Sequence, residues 1–172
     1  GPTVQNWIEV VNLTSSKKVF TVKIYDQNGT IKSSKKLKVS GYGEVDTAGG
    51  QEFGQGVFLV EVAPPNLATR FMASVSRYST SDGSNFNYAT TVDARKATGE
   101  KVFVPISNEK GVCFSKTSLI DIANTLSTST SAIVKFRDDK GAVKKRQTIK
   151  LEARGQVQLN AGAYITNTGS VE

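Results

Sequence analysis

The 172 residues include no histidine, one cysteine (Cys113) and one tryptophan (Trp7). Without His, neither a Ser-His-Asp nor a Cys-His nucleophilic arrangement can be assembled, and a zinc site loses its commonest nitrogen ligand. One Cys excludes an internal disulfide, and Cys113 reads as a small buried hydrophobe. No apolar run approaches the roughly 18 residues that a membrane helix needs, and no charged segment followed by an apolar one opens the sequence. Gly1-Pro2 has the form of a tag-cleavage remnant, so both ends read as chosen boundaries that would have removed any signal segment or anchor. Acidic residues are outnumbered 15 to 22 by Lys and Arg, a formal charge of +7. That excess is spread along the chain with no basic tail, and it points only weakly toward acidic partners.

What the chain does contain is an internal repeat. Set against Ser118 to Leu159 at an offset of 112, Asn6 to Thr47 matches at eleven of 42 positions, among them Asn12/Asn124, Lys23/Lys135, Asp26/Asp138, Gly29/Gly141, Lys32/Lys144 and Gly43/Gly155. Apolar partners such as Val10/Ile122, Ile24/Phe136 and Val39/Leu151 show that the core pattern repeats too. The length and the repeat predict two domains, 3–95 and 96–172.

Each copy reads as strands. Phe20, Val22 and Ile24 alternate with Thr21, Lys23 and Tyr25, and Ala132, Val134 and Phe136 with Ile133, Lys135 and Arg137. Each run meets a turn, Asp26-Gln27-Asn28-Gly29 or Asp138-Asp139-Lys140-Gly141, where Gly supplies the positive φ of a tight hairpin. The return strands are expected to point Ile31, Leu37 and Val39, or Val143, Ile149 and Leu151, inward. Ile8 and Val10, or Ile120 and Ile122, mark an earlier strand closing at Asn12 or Asn124. Further strands are expected over 57–62, 71–78, 86–92 and 101–106, with turns at Pro64-Pro65-Asn66 and Ser81 to Asn85. Nothing in the second copy is expected to match 57–78, and nothing before Trp7 to match 101–106. The fold class expected is all-β, two tandem antiparallel β-sandwich modules, with strands shared or exchanged between modules or chains as the alternative to cut-open copies.

The order of an opening strand, Ile-x-Val-x-Asn, a strand into Tyr-Asp-Gln-Asn-Gly, a return strand into Gly-Tyr-Gly and a later Gly-x-Val-x-x-Val resembles the tandem immunoglobulin-like or fibronectin-like repeats of bacterial surface and secreted proteins. The resemblance implies an extracellular or cell-surface stalk, adhesin or accessory module. The paired Cys flanking a core Trp found in antibody-type domains is absent.

Catalytic chemistry finds few candidates. Asp82, Asp93, Asp138 and Asp139 could supply a carboxylate pair, but Asp138 belongs to a repeated turn, where Asp caps the local backbone. Asp82 to Asn87 fails the calcium-loop pattern at Phe86 and Asn87. Neither an enzyme nor a metal or other cofactor is expected. The repeated functional candidate is a basic strand face: Lys32, Lys36 and Lys38 in the first copy, Lys144, Arg146 and Lys150 in the second. It suits an acidic polysaccharide, a cell-surface glycan or another anionic polymer. Nucleic acid is disfavoured because no aromatic residues interleave the cations. The opposing reading is that Lys on outer strands maintains solubility and protects sheet edges. Tyr42, in the Gly41 to Gly43 turn, is a candidate sugar contact. Phe53, Phe86, Tyr88 and Tyr164 also lie near loops, most of them expected to cover the sandwich ends, while the Gly41 to Gly43 and Gly49 to Gly56 loops, free to vary, are where loop-borne binding is expected. Three functions remain in view: a structural or adhesive surface segment, a carbohydrate-binding module of a secreted enzyme, and a fibre or phage-type component associating through open strand edges.

Overall fold

A computed structural model describes residues 3–48, 58–80, 86–93, 104–110, 115–116 and 118–172. The Gly49 to Gly56 loop with Phe53, the Ser81 to Asn85 turn with Asp82, residues 101–103 and Cys113 lie outside the described residues, as do the side chains of Phe86, Tyr88 and Asp93. The structure is all-β, in antiparallel sheets. It divides into two compact units, one of residues 1–26 with 31–96, the other of 27–30 with 97–172.

The first unit contains β1 (Thr3–Asn12), β2 (Lys18–Tyr25), β3 (Ile31–Val39), β4 (Glu44–Ala48), β5 (Leu59–Ala63), β6 (Phe71–Thr80) and β7 (Phe86–Asp93). They form two sheets, ordered β4-β1-β6-β7 and β3-β2-β5. Period-two alternation decides what lies between them: Ile8 and Val10 from one sheet meet Phe20, Val22, Ile24 and Val39 from the other. Phe20 and Phe71 pack with ring centroids 5.3 Å apart. Fully burying such side chains stabilises the unit by roughly 1.5–3 kcal/mol each.

The second unit contains β8 (Val104–Ser107), β9 (Glu109–Lys110), β10 (Ser115–Lys116), β11 (Leu119–Ala123), β12 (Thr130–Asp138), β13 (Val143–Leu151), β14 (Gln156–Asn160) and β15 (Thr168–Val171). A four-stranded sheet, β13-β12-β15-β8, shares its core with the pair β11-β14, while β9 and β10 pair separately. Val134, Phe136 and Val171 meet Ile120 there, and Ala161 and Ile165, from a 3₁₀ turn and the loop after it, complete the cluster.

Two sequence expectations need correction. The second copy does have a match to the strand beginning near Val57: β15 pairs with β12 (Phe136↔Val171) as β5 pairs with β2 (Ile24↔Val60), one residue out of the 112 offset. A gapless alignment could not register it. Ile31 and Val143 do not point inward either, being 52% and 45% exposed. The cause is a β-bulge at the same place in each copy: Tyr25 pairs with Ile31 while Ile24 pairs with Ser33, and Arg137 pairs with Val143 while Phe136 pairs with Lys145. The extra residue is Lys32 in one and Lys144 in the other, so alternation counted from the core end of the strand stops there.

Candidate binding surface

From Val39 back to Ser33, β3 alternates buried or half-buried with exposed residues, and Lys36 and Lys38 fall on the exposed row opposite Thr21 and Val19 of β2. Lys32 continues that row as the exposed bulge residue. Lys23 of β2 lies on the same face, between Ser34 and Glu61 of β5. Among the described residues, no side-chain hydrogen bond or ion pair involves Lys32, Lys36 or Lys38. β3 is the outer strand of its sheet.

The second copy repeats the placement but not the electrostatics. Lys144, Arg146 and Lys150 are all exposed on β13, yet Lys144 Nζ lies 3.0 Å from Asp138 Oδ2 and Lys150 Nζ lies 2.8 Å from Glu152 Oε1. The Lys144 hydrogen bond holds the Asp138 carboxyl below the usual carboxylate range, helped by the Ala142 and Lys140 backbone N–H groups. Glu152, by hydrogen bond and charge, pushes the Lys150 ammonium up. Arg146 pairs across the strands with Lys135, whose ammonium is held 2.9 Å from Glu172 Oε1. Two of the three cations in this row therefore already have carboxylate partners.

Tyr42 occupies a tight corner between β3 and β4. Its φ is +54°, and Arg154, at the same repeat position, has φ +58°. Left-handed backbone is costly for any residue with a Cβ, so neighbouring bonds must hold it. Tyr42 N donates to Thr14 O at 2.9 Å, Gly43 N to Ser40 O at 3.0 Å, and Asn12 N to Gly43 O at 2.9 Å. Position 41 must be Gly, since a Cβ there would come within 2.0 Å of Ser15 O. The Tyr42 side chain is 73% exposed. Arg154 instead donates to the Thr125 carbonyl, so the aromatic feature belongs to one copy only. Tyr164 packs on Phe136 at 4.6 Å, with Lys145 Nζ 5.9 Å from its ring centroid.

Sequence reasoning passed over two arrangements. Asn12 and Asn124 are buried and tie each corner together through their side-chain amides; their identity in the repeat was the available signal. Glu172 receives hydrogen bonds from both Lys135 and Arg137, a clamp that no spacing rule announces. Two depressions, of ≈ 110 Å³ beside Asp138, Lys144 and Tyr164 and ≈ 160 Å³ beside Glu9, Val11 and Met72, fall short of the about 300 Å³ at which small-molecule pockets begin. Among the described residues, no three His, Cys, Asp or Glu side chains converge as metal ligands, and no helix is long and apolar enough to cross a membrane. Comparison with protein-family models, with curated proteins and with solved structures finds no match.

Proposed function

We propose that this chain is a non-enzymatic structural and adhesive segment of a larger extracellular bacterial surface protein, and that the Lys32, Lys36 and Lys38 row contacts an acidic polysaccharide or related anionic surface polymer. One observation carries the reading: these three cations share an exposed face and have no carboxylate partner among the described residues, whereas Lys144 and Lys150 do. Unpaired ammonium groups in a row attract a linear polyanion at little cost in broken ion pairs. Exposed contacts of this kind weaken with salt, because the screening length is about 10 Å at 0.1 M. The extracellular setting rests on the resemblance to surface-protein repeats.

Retention on immobilised polygalacturonate tests the proposal. Lys32→Glu/Lys36→Glu/Lys38→Glu is expected to elute at much lower salt than the parent, and the charge-matched Lys144→Glu/Arg146→Glu/Lys150→Glu only slightly earlier. Equal loss in both variants would reduce the effect to net charge and sink the assignment to β3.

The second reading, a carbohydrate-binding accessory module, is favoured by Tyr42 alone: its side chain is exposed while its N–H is bonded to Thr14 O and the adjoining Gly43 makes two more backbone hydrogen bonds. A ring held this way can stack on a sugar with little ordering cost. A glycan array repeated with Tyr42→Ala separates the two readings, since neutral-glycan binding lost in that variant supports the second.

A further inference from the structure

The two units share one hairpin pattern, yet the strands bordering it differ. β1 has β4 on one side and β6 on the other, the latter in a ladder running from Thr3↔Thr80 to Asn12↔Phe71. Its repeat equivalent, β11, is bordered by β14 alone among the described residues. Backbone polarity tells which groups are left over. Asn12 N–H donates to Gly43 O on the β4 side, and Leu13 N–H to Arg70 O on the β6 side. Alternation along a strand then directs the backbone groups of Glu9 and Val11 to β6 and those of Ile8 and Val10 to β4. Asn124 N–H likewise donates to Gly155 O. By the same alternation, Asp121 and Ala123 turn their N–H and C=O groups away from β14, toward an edge that no described strand pairs. Such an edge is a template for strand addition.

The side chains mark the same vacancy. Val10 is fully buried, with Phe71, Ala73 and Val75 of β6 packed against its cluster, whereas the equivalent Ile122 is only half-buried. Where Phe20 meets Phe71 in the first unit, the second has the half-buried Ala132, a short side chain opposite the place an aromatic would enter. Leu119, at the start of β11, is 53% exposed.

We infer that the free edge of β11 is a strand-acceptor site whose occupant is a β6-type strand from a further copy of the repeat. It adds antiparallel, with residues equivalent to Val75, Ala73 and Phe71 opposite Ile120, Ile122 and Asn124, by the register β6 adopts on β1. Main-chain hydrogen bonds supply the attachment, and the inward row Phe-x-Ala-x-Val supplies the selectivity. The inference is independent of what the lysine row binds.

The test is titration of the ¹⁵N-labelled full chain with a synthetic peptide of the sequence 69–80. Amide exchange at Asp121 and Ala123 is expected to slow, while Ile120 and Ile122, already bonded to β14, stay unchanged. Asp121→Pro removes the N–H that points to the open edge, together with the carboxylate that accepts from Gln158 Nε2 of β14, and it is expected to abolish the slowing at Ala123. The peptide supplies a block that leaves the protein untouched: N-methylation at Ser74, whose N–H faces the acceptor, is expected to stop binding, and N-methylation at Ala73, which faces away, to spare it. No slowing at the highest soluble peptide concentration, slowing confined to β1, or equal effects of the two methylations would each overturn the inference.

Discussion

The side-chain amide of Asn12 donates to the carbonyl of Ser40 at 2.9 Å, fastening the end of β1 to the end of β3 across 28 positions of sequence. The same amide reaches Ser16 O at 2.9 Å, and its oxygen accepts from Thr14 N at 3.0 Å. Asn124 does the same work in the second unit, donating to Thr128 O and Glu152 O at 2.8 Å each and accepting from Leu126 N at 2.9 Å. Removing a buried group that satisfies several backbone atoms leaves them unpaired, at about 1–3 kcal/mol for each one buried. Asn12→Ala is therefore expected to lower unfolding free energy by about 2–4 kcal/mol in urea titration. Asn12→Asp should be no better, because a carboxylate cannot donate to carbonyls. A change below about 0.5 kcal/mol, the range of neutral surface substitutions, would remove the corner from the list of stabilising features.

Tyr42 permits a separation of backbone from side chain. Its φ of +54° suits Gly and is worst for β-branched residues. Tyr42→Gly is expected to be neutral or stabilising by up to about 1 kcal/mol, and Tyr42→Val to destabilise by about 1–2 kcal/mol. Thermal melts check both. If the ring also contacts sugar, both variants lose that binding equally, whatever their stability.

Glu172 is 7% exposed at its side chain and lies 2.7 Å from Arg137 Nη2 and 2.9 Å from Lys135 Nζ. Its backbone also exchanges two hydrogen bonds with Lys135, at 2.9 and 3.0 Å, continuing the β12-β15 ladder. Glu172→Gln keeps the shape and removes the charge from two partners. A loss of about 1–3 kcal/mol is expected, and a double-mutant cycle with Arg137→Gln should show the two changes to be non-additive. Strict additivity would mean that the pair does not interact in solution.

Asp138 gives the pH dependence. Its pKa is lowered in the folded state by Lys144, so it contributes stability that is present above the unfolded carboxylate pKa and lost as pH falls through the folded one. Between about pH 5 and pH 2 the melting temperature of the parent is expected to fall more steeply than that of Asp138→Asn. Asp138 is half-buried but its partner Lys144 is exposed, so the difference should be small and should shrink in high salt. Parallel curves would contradict the Lys144 contact.

The repeat made the hairpins legible because both of their determinants are local: alternation sets the faces, and Gly29 and Gly141, each with φ +82°, close the turns. It failed at β15 because a single-residue deletion moves a strand out of a fixed offset without moving it in space. It failed at Ile31 and Val143 because a bulge depends on two strands together and leaves no mark in either alone. The lysine row was visible from parity, whereas its neutralisation in the second copy was not. Asp138 and Glu152 become partners of Lys144 and Lys150 only once the hairpin brings them into reach, and only Asp138 has an identical counterpart, Asp26, in the first copy.

The paired bulges carry one further consequence. A strand with an extra residue cannot slide by one register without burying a lysine, and its twisted edge offers a poor match to a flat neighbour. β3 and β13 are the strands so marked, and each is the outermost of its sheet. In both units the irregularity thus sits on an outer strand, where it discourages pairing with a neighbouring edge.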